Sequence, residues 1–367
     1  MSNWIDAMTR TRPAGLSTTG AGSLPHTQSE LALQMALSVD VPYAPQLPRH
    51  NDAELMVLQA LEGLPGVSLR GDGSASVDAA VWAREGAAFH RQLDVALGHE
   101  RQDTALPNFT AHADEASLSR FEPTPFAQSA WRPFLWEVES RKMPFAKVQV
   151  AGPTTLRWLV SLSDGRRVTD EPSLEHAIVR LCLARAWAMA RAVRARGATP
   201  IVCFDEPGLY ALRPADPMHL VHVQEMKLAA LAMQRTGALT ALHCCGNTAW
   251  ATVLGIGFDY LWIDVRLSLS SLLRAAPELE AFARTGGRLI LGVVPTNSDA
   301  PYDLEQLVSA TAAALEPGQN PAPSLRLEDC LLAPACGLGL RSVVDAERVF
   351  EDLRIAQRAL RRTAKRG

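Results

Sequence analysis

The sequence predicts an α/β protein that forms a single (β/α)8 barrel, and three observations support this. Eight short apolar runs end at turn residues, helical patterns fill the intervals between them, and 367 residues are enough for one large barrel. A hydrophobic content of 47% supports a core of that size. The alternative, a doubly wound open sheet, is disfavoured because the sequence lacks a Gly-x-Gly-x-x-Gly fingerprint.

The eight runs are rich in apolar and β-branched residues and are bounded by Gly or Pro. This pattern is typical of strands that are buried on both faces of a parallel sheet. The predicted strands are Ser17–Ala21, Val41–Ala44, Lys147–Ala151, Pro200–Phe204, Leu239–His243, Tyr260–Asp264, Arg288–Val294 and Cys330–Pro334.

Segments rich in Ala, Leu and charged residues separate the later runs and predict helices. Gly197 and Gly237 follow two of these segments, where glycine commonly ends a helix. The predicted helices are Leu174–Arg196, Asp216–Thr236, Thr248–Leu254, Ser270–Thr285, Tyr302–Leu315 and Val343–Ala364.

A long segment, Pro48–Pro144, separates the second and third predicted strands. It contains a predicted helix, Val77–Leu97, and a loop-like stretch, Pro107–Phe121. We interpret residues 48–144 as an insertion that lies over the mouth of the barrel. The whole chain, residues 1–367, is then one domain.

Charge and hydropathy argue against nucleic-acid binding and against a membrane-spanning segment. With 36 basic and 39 acidic residues the chain has no basic field for nucleic acid. It also has no apolar stretch of ~18 residues that would span a membrane, and its first residues are polar. We therefore expect a soluble, cytoplasmic protein whose six cysteines are reduced, so that clustered cysteines are metal ligands or catalytic thiols.

The segment Leu242–Asn247 contains the sharpest chemical signal, a His-x-Cys motif at the end of a predicted strand. Residues two apart on a strand project to the same side, so His243 and Cys245 can bind one ion. Taken alone, the motif fits a buried thiol beside a core histidine better than a metal site. Cys336 follows the last predicted strand, and in a barrel its end opens onto the same face. Asp264 could add an oxygen ligand, and this donor set is typical of zinc.

Two sulfur ligands also restrict the type of reaction that a bound zinc ion would catalyse. They make zinc a weaker activator of water but a good carrier of a substrate thiol, which loses its proton near neutral pH. Alkyl transfer to a thiol is the reaction that this ligand set favours.

Five motifs occur in the order seen in a known family. They are Thr18-Thr19-Gly20-Ala21-Gly22-Ser23-Leu24-Pro25-His26, Gly152-Pro153-Thr154-Thr155, Asp205-Glu206-Pro207, His243-x-Cys245 and Ala335-Cys336-Gly337-Leu338. Together they resemble the C-terminal catalytic barrel of cobalamin-independent methionine synthase. The sequence is similar, more remotely, to methylcobamide:thiol methyltransferases and to uroporphyrinogen decarboxylase.

This resemblance implies a site for zinc and homocysteine. The implied zinc ligands are His243, Cys245 and Cys336. Gly22 and Ser23 would contact the homocysteine carboxylate, and Asp205 would bind its amino group.

Three further acids complete the expected site. Glu206 follows Asp205 at the active face and is expected to bind substrate. Asp264 lies closest to the position of the fourth zinc ligand, which is a glutamate in the family. Glu54 is the candidate for the family's second homocysteine-binding carboxylate.

The expected function is zinc-dependent transfer of a methyl group to a thiol, with homocysteine as acceptor and methionine as product. The donor stays open between 5-methyltetrahydrofolate and a methyl-corrinoid protein, because no segment corresponds to the family's additional N-terminal barrel. One alternative is a metal-free decarboxylase of the uroporphyrinogen type, although its Arg-rich N-terminal motif is absent. The other is a non-catalytic zinc-binding barrel that binds a methyl-carrying protein.

Overall fold

The main feature of the fold is a sheet of six parallel strands that curls into a half-barrel. A computed structural model describes residues 10–97, 115–297 and 301–365. Numbered in chain order, the strands of this part are β1 (Val67–Leu69), β2 (Ala75–Val77), β3 (Phe145–Ala151), β4 (Val160–Leu162), β5 (Thr199–Asp205), β6 (Leu239–Cys244), β7 (Tyr260–Asp264), β8 (Arg288–Val294) and β9 (Leu331–Pro334). The six-stranded sheet has the order β3-β5-β6-β7-β8-β9.

Helices alternate with these strands. They are α1 (Ser29–Ala36), α2 (Met56–Ala60), α3 (Ala79–Leu97), α4 (Glu115–Leu118), α5 (Trp131–Ser140), α6 (Pro153–Leu159), α7 (Pro172–Ala195), α8 (Pro217–Arg235), α9 (Trp250–Leu254), α10 (Val265–Leu273), α11 (Ala276–Arg284), α12 (Leu304–Ala314) and α13 (Val343–Ala364). Short 3-10 helices cover Asp52–Glu54, Ser119–Phe121, Val168–Asp170, Pro207–Ala211 and Leu327–Asp329.

The first two predicted strands are present only as isolated bridges. Ser17–Ala21 pairs with β9 through a bridge between Thr18 and Leu332. Val41–Ala44 pairs with β3 through a bridge at Tyr43. The prediction of regular strands at these two places was therefore wrong, and the described residues do not form a closed barrel of eight regular strands.

The composition of the second segment explains why it does not form a continuous ladder. Pro42 has no backbone N–H to donate, and Pro45 prevents the ladder from continuing beyond Ala44. The two segments nevertheless contact each other, because the Val41 amide donates to the Thr18 carbonyl at 2.9 Å. Together they link β9 to β3, the two edges of the six-stranded sheet.

The helix predicted over Ser270–Thr285 is two helices, α10 and α11. The break at Arg274 and Ala275 has a local cause, because Pro277 lies in the first turn of α11. The other predicted helices agree with the structure to within a few residues. At the end of α7, Gly197 has a φ of +84°, the left-handed conformation expected of a glycine that ends a helix.

The segment 48–144 contributes to a second, small sheet that the sequence did not predict. Here β2 pairs antiparallel with β1 and parallel with β4, so the segment joins the region that follows β3. The helix predicted over Val77–Leu97 is observed as α3. Of the stretch Pro107–Phe121, residues 107–114 lie outside the described part.

Apolar residues form a core on each side of the six-stranded sheet. The larger core packs the sheet against the helices. The smaller one fills the inside of the curve with alternate residues of the strands, among them Ile201, Leu239, Tyr260, Trp262 and Ile290. Among the described helices none has the length and apolarity to cross a membrane.

Candidate metal centre

The alternation of side chains along the strands brings three polar residues to the end of the inner core. Asp205 ends β5 and pairs in register with His243 of β6. Asp264 ends β7, the next strand, whose Trp262 pairs with His243. Because Leu239 and Ala241 face the inner core, His243 faces the same side two residues later. The C-terminal ends of the parallel strands therefore carry a row of groups that can bind a ligand.

Cys244 faces the other side, as its position between two inward residues predicts. Its side chain is buried in the core between sheet and helices. Burial raises the pKa of its thiol to about 12. Cys244 is therefore an inert thiol that belongs to the packing of β6 against the helices.

His243, Cys245 and Cys336 come together into one cluster. Their potential ligand atoms all lie within 4.8 Å of one another. The two cysteines reach this point from different parts of the chain, Cys245 just after β6 and Cys336 just after β9. In the described part of the chain, no other group of three or more His, Cys, Asp or Glu residues meets this criterion.

Both ring nitrogens of His243 face oxygen acceptors. The Nδ1 atom lies 3.1 Å from Oδ1 of Asp205, and Nε2 lies 3.2 Å from the carbonyl oxygen of Ala335. Burial opposes the charged imidazole, but the hydrogen bond and the charge of Asp205 outweigh it and raise the pKa of His243. Trp262 packs on the ring with its centroid 4.6 Å away. The imidazole is thus held in one orientation.

The two cysteines share a hydrogen bond. Because the Cys336 thiol donates to Cys245, the pKa of Cys245 is lowered to about 6, although burial acts in the opposite direction. The same hydrogen bond raises the pKa of Cys336. The pair therefore loses its first proton more readily than an ordinary thiol does, and thiolates are the form in which cysteine binds metal.

Asp264 is used as the N-cap of α10. Its Oδ1 accepts hydrogen bonds from the amides of Arg266 at 2.8 Å and Leu267 at 3.3 Å. Burial raises the pKa of this carboxyl. Asp264 is near the cluster but does not belong to the group whose ligand atoms lie within 4.8 Å.

The structure does not bring Glu206 to the cluster. Its side chain is fully buried, and its two carboxyl oxygens accept hydrogen bonds from the amides of Thr154 at 2.9 Å and Thr155 at 2.7 Å. These amides belong to the first turn of α6. Burial raises the pKa of Glu206 to about 7, against the effect of these hydrogen bonds.

Glu54 is also fully buried and bonded to the backbone. Its Oε2 accepts from the amide of Leu47 at 2.7 Å, and its Oε1 accepts from the amide of Ser129 at 3.0 Å. It thereby ties the segment after Val41–Ala44 to the region that precedes α5.

Gly22 and Ser23 lie beside the loop that carries Cys336. The carbonyl of Ser23 accepts from the amide of Leu338 at 2.9 Å, and its hydroxyl accepts from the amide of Gly339 at 3.3 Å. The structure therefore brings the first predicted substrate loop to the same end of the sheet as the cysteine pair.

The sequence interpretation missed Lys147 and Gln149, two polar residues that face the inside of the sheet next to the inner core. Both are buried. A signal was present, because strand β3 places Lys and Gln at alternate positions of an otherwise apolar run.

The donor set of the cluster fits zinc. One imidazole and two thiols are ligands that Zn²⁺ prefers, and tetrahedral bonding would place them roughly 3.5 Å apart. Within 4.8 Å of one another, the three atoms need only a small contraction to reach that spacing. Three protein ligands leave a fourth position for a substrate, which is typical of catalytic sites.

Comparison with known proteins identifies the fold. The structure is similar to a solved structure of a B12-independent methionine synthase from Shewanella sp. W3-18-1 in complex with selenomethionine. The TM-score is 0.56, the sequence identity is 13%, and the match covers 95% of this chain and 98% of that one. At this identity the similarity establishes a common fold alone. No protein-family model matches the sequence, and no curated protein matches it significantly.

Proposed function

We propose that this protein is a zinc-dependent methyltransferase that methylates a thiol, with homocysteine as the preferred acceptor and methionine as the product. One observation carries the proposal: His243, Cys245 and Cys336 bring their ligand atoms within 4.8 Å of one another at the C-terminal ends of the strands. The common fold with a B12-independent methionine synthase supports it. We further propose that the six strands and the two bridged segments act together as a barrel whose mouth is this end.

Each residue of the site would have a separate role in the proposed reaction. His243, Cys245 and Cys336 would hold the zinc, which when bound supplies a Lewis acid that keeps a substrate thiol deprotonated near neutral pH. Asp205 holds the imidazole of His243 by a hydrogen bond of 3.1 Å. Its carboxylate is also the group that would attract a substrate ammonium.

The loop at Gly22 and Ser23 would bind the substrate carboxylate. Its contact with the segment after Cys336 fixes the distance between carboxylate and thiol positions. Binding both ends of one small molecule holds its sulfur for attack on the methyl group. The proposed donor is 5-methyltetrahydrofolate or a methyl-corrinoid protein.

An assay of the purified protein tests the proposal. Zinc-loaded protein is incubated with homocysteine and, in parallel, with 5-methyltetrahydrofolate or methylcobalamin, and methionine is measured. We expect methionine from one donor, and a loss of at least ~100-fold in Cys245→Ala and Cys336→Ala because each removes a ligand. Cys182→Ala, at a buried cysteine of α7, is the matched control.

The outcomes separate the alternatives. No methionine with either donor, despite stoichiometric zinc, would exclude the proposed reaction and favour a non-catalytic zinc-binding protein. Protein without zinc affinity would favour a metal-free enzyme. Equal activity in the two ligand variants and the control would exclude the assigned ligands.

A further inference from the structure

Lys147 is a fully buried lysine for which the proposed chemistry has no direct use. It lies on β3, faces the inside of the sheet and has 0% of its surface exposed. Removing an ammonium from water costs several kcal/mol, and an apolar side chain of the same size would avoid this cost. Packing alone therefore does not explain a lysine at this position.

The amino group of Lys147 has two hydrogen-bond acceptors and two aromatic rings around it. Its Nζ donates to the carbonyl of Ala21 at 2.9 Å and to Oε1 of Gln149 at 2.9 Å. The rings of Tyr43 and Trp262 lie with their centroids 5.9 Å and 5.5 Å from Nζ, within the range of cation–π attraction. Burial lowers the pKa of Lys147, while the charge of Asp205 acts in the opposite direction.

The carbonyl of Ala21, which accepts from Lys147, directly precedes Gly22 and Ser23, the loop that would bind the substrate carboxylate. Lys147 therefore holds the peptide that enters this loop. On the other side, the Leu338 amide donates to the carbonyl of Ser23, so the loop lies between the buried lysine and the segment that follows Cys336.

Gln149 extends the same network around Gly22. Its Nε2 donates to the carbonyl of Ala44 at 2.7 Å and to Oε1 of Gln46 at 3.3 Å. The backbone amide of Gln46 in turn donates to the carbonyl of Gly22 at 3.0 Å. Gly22 has a φ of +145°, and a Cβ there would lie only 2.6 Å from Nε2 of Gln149. The loop thus packs directly on the hydrogen-bonded glutamines.

We propose that Lys147 is a positioning residue that, together with Gln149, fixes the Gly22–Ser23 loop relative to Cys336 and so selects thiol substrates with an α-carboxylate. The selection rests on the proposed function, but the positioning does not. Lys147 does not touch the substrate, because its side chain is fully buried and its Nζ donates to Ala21 and Gln149.

Calorimetry with two thiols tests the selection. The probes are homocysteine and 3-mercaptopropylamine, which has the same thiol and amine but no carboxylate. In Lys147→Met we expect homocysteine affinity to fall about tenfold while 3-mercaptopropylamine affinity and zinc content stay unchanged. Lys147→Gln should recover much of the loss, because an amide still donates to Ala21. Lys227→Met, on the exposed side of α8, is the matched control.

Hydrogen exchange tests the positioning without any substrate. In Lys147→Met and in Gln149→Leu, the amides of residues 16–24 should exchange at least several-fold faster than in the native protein, while those of α13 should not. If exchange of this segment is unchanged, the positioning role is wrong. If exchange rises but both thiols lose affinity equally, the selection is wrong. If the native protein binds neither thiol, the proposed function fails and the exchange result still decides the positioning.

Discussion

At the scale of single residues, the imidazole of His243 shows how the candidate centre is prepared. Asp205 accepts from Nδ1, so Nε2 is the nitrogen on the side of Ala335 and Cys336. A carboxylate bonded to one nitrogen of a metal-binding histidine fixes the ring and makes its other nitrogen a better ligand.

We therefore expect Asp205→Asn to lower zinc affinity by roughly 10- to 100-fold, because the amide is a weaker acceptor. Competition with a chromophoric chelator measures this affinity. Asp216→Asn serves as the control, since Asp216 caps α8 and asparagine caps equally well. Native affinity in Asp205→Asn would show that Asp205 does not support the histidine.

Glu206 predicts a pH dependence of stability. Burial raises its pKa in the folded protein from 4.5 to about 7, so folding favours the protonated acid. Its contribution to the free energy of unfolding is complete below pH 4.5 and is lost as the pH rises from 4.5 to 7. At 1.36 kcal/mol per pKa unit, the loss is roughly 3 kcal/mol.

Glu206→Gln should remove this dependence because an amide does not ionise in this range. Urea unfolding at pH 5 and pH 8 should show that the native protein loses about 2.5 kcal/mol more than the variant between these pH values, because part of the loss has already occurred at pH 5. Glu278→Gln, at an exposed position of α11, is the control and should behave like the native protein. An equal change in the free energy of unfolding between pH 5 and pH 8 in all three proteins would contradict the prediction.

Residue types and their spacing predicted that His243, Cys245 and Cys336 lie together, because alternation along a strand and the order of strand ends can be read from the sequence. The same features did not predict the positions of Glu54 and Glu206. Both acids were expected to bind substrate, yet each bonds backbone amides that come from other parts of the chain. Which amide a buried carboxylate meets depends on tertiary packing, which no local pattern contains.

At the scale of elements, Asp264 links strand β7 to helix α10. Loss of an N-cap typically costs ~1 kcal/mol, so Asp264→Ala should lower the free energy of unfolding by about that amount. Asp264→Asn should be close to native because asparagine also caps. Since Asp264 lies outside the three-residue cluster, we expect both variants to keep native zinc affinity. Weaker zinc binding in Asp264→Asn, with stability intact, would identify Asp264 as a fourth ligand.

The sequence predicted the long strands and helices but not the shortest strands, and the reasons are physical. Strands of the six-stranded sheet are mostly apolar runs, and long helices such as α7 and α13 repeat their apolar residues over many turns. The three-residue strands β1, β2 and β4 are too short to show a period, and they exist because they pair with one another. Pro277 could have indicated the break between α10 and α11.

At the scale of the whole molecule, the candidate centre depends on contacts between distant parts of the chain. Cys245 follows β6 and Cys336 follows β9, and β7 and β8 lie between these strands in the sheet. The order of parallel strands in the sheet follows their order in the sequence from β5 to β9, so a barrel-like arrangement could be predicted. The way in which Ser17–Ala21 and Val41–Ala44 link the sheet edges could not, because it depends on single bridges.

Because only the folded chain brings His243, Cys245 and Cys336 together, zinc should bind the native state and stabilise it. At free zinc of about 100 times the dissociation constant, the stabilisation is ~2.7 kcal/mol. For a chain of 367 residues that corresponds to a rise in Tm of about 3–4 °C, which a chelator should reverse. Scanning calorimetry at fixed protein concentration measures the shift.

Two variants test this prediction. Cys336→Ala removes one of the three ligands, and Cys182→Ala, which keeps all three, is the matched control. The first should show little change in Tm with zinc, and the second should respond like the native protein. A similar rise in all three proteins would mean that zinc binds elsewhere. A fall in Tm would mean that the unfolded chain, with its six cysteines and nine histidines, binds zinc more strongly than the native cluster does. The direction of the shift therefore tests whether the fold, and not the mere presence of cysteine and histidine in the chain, creates the site.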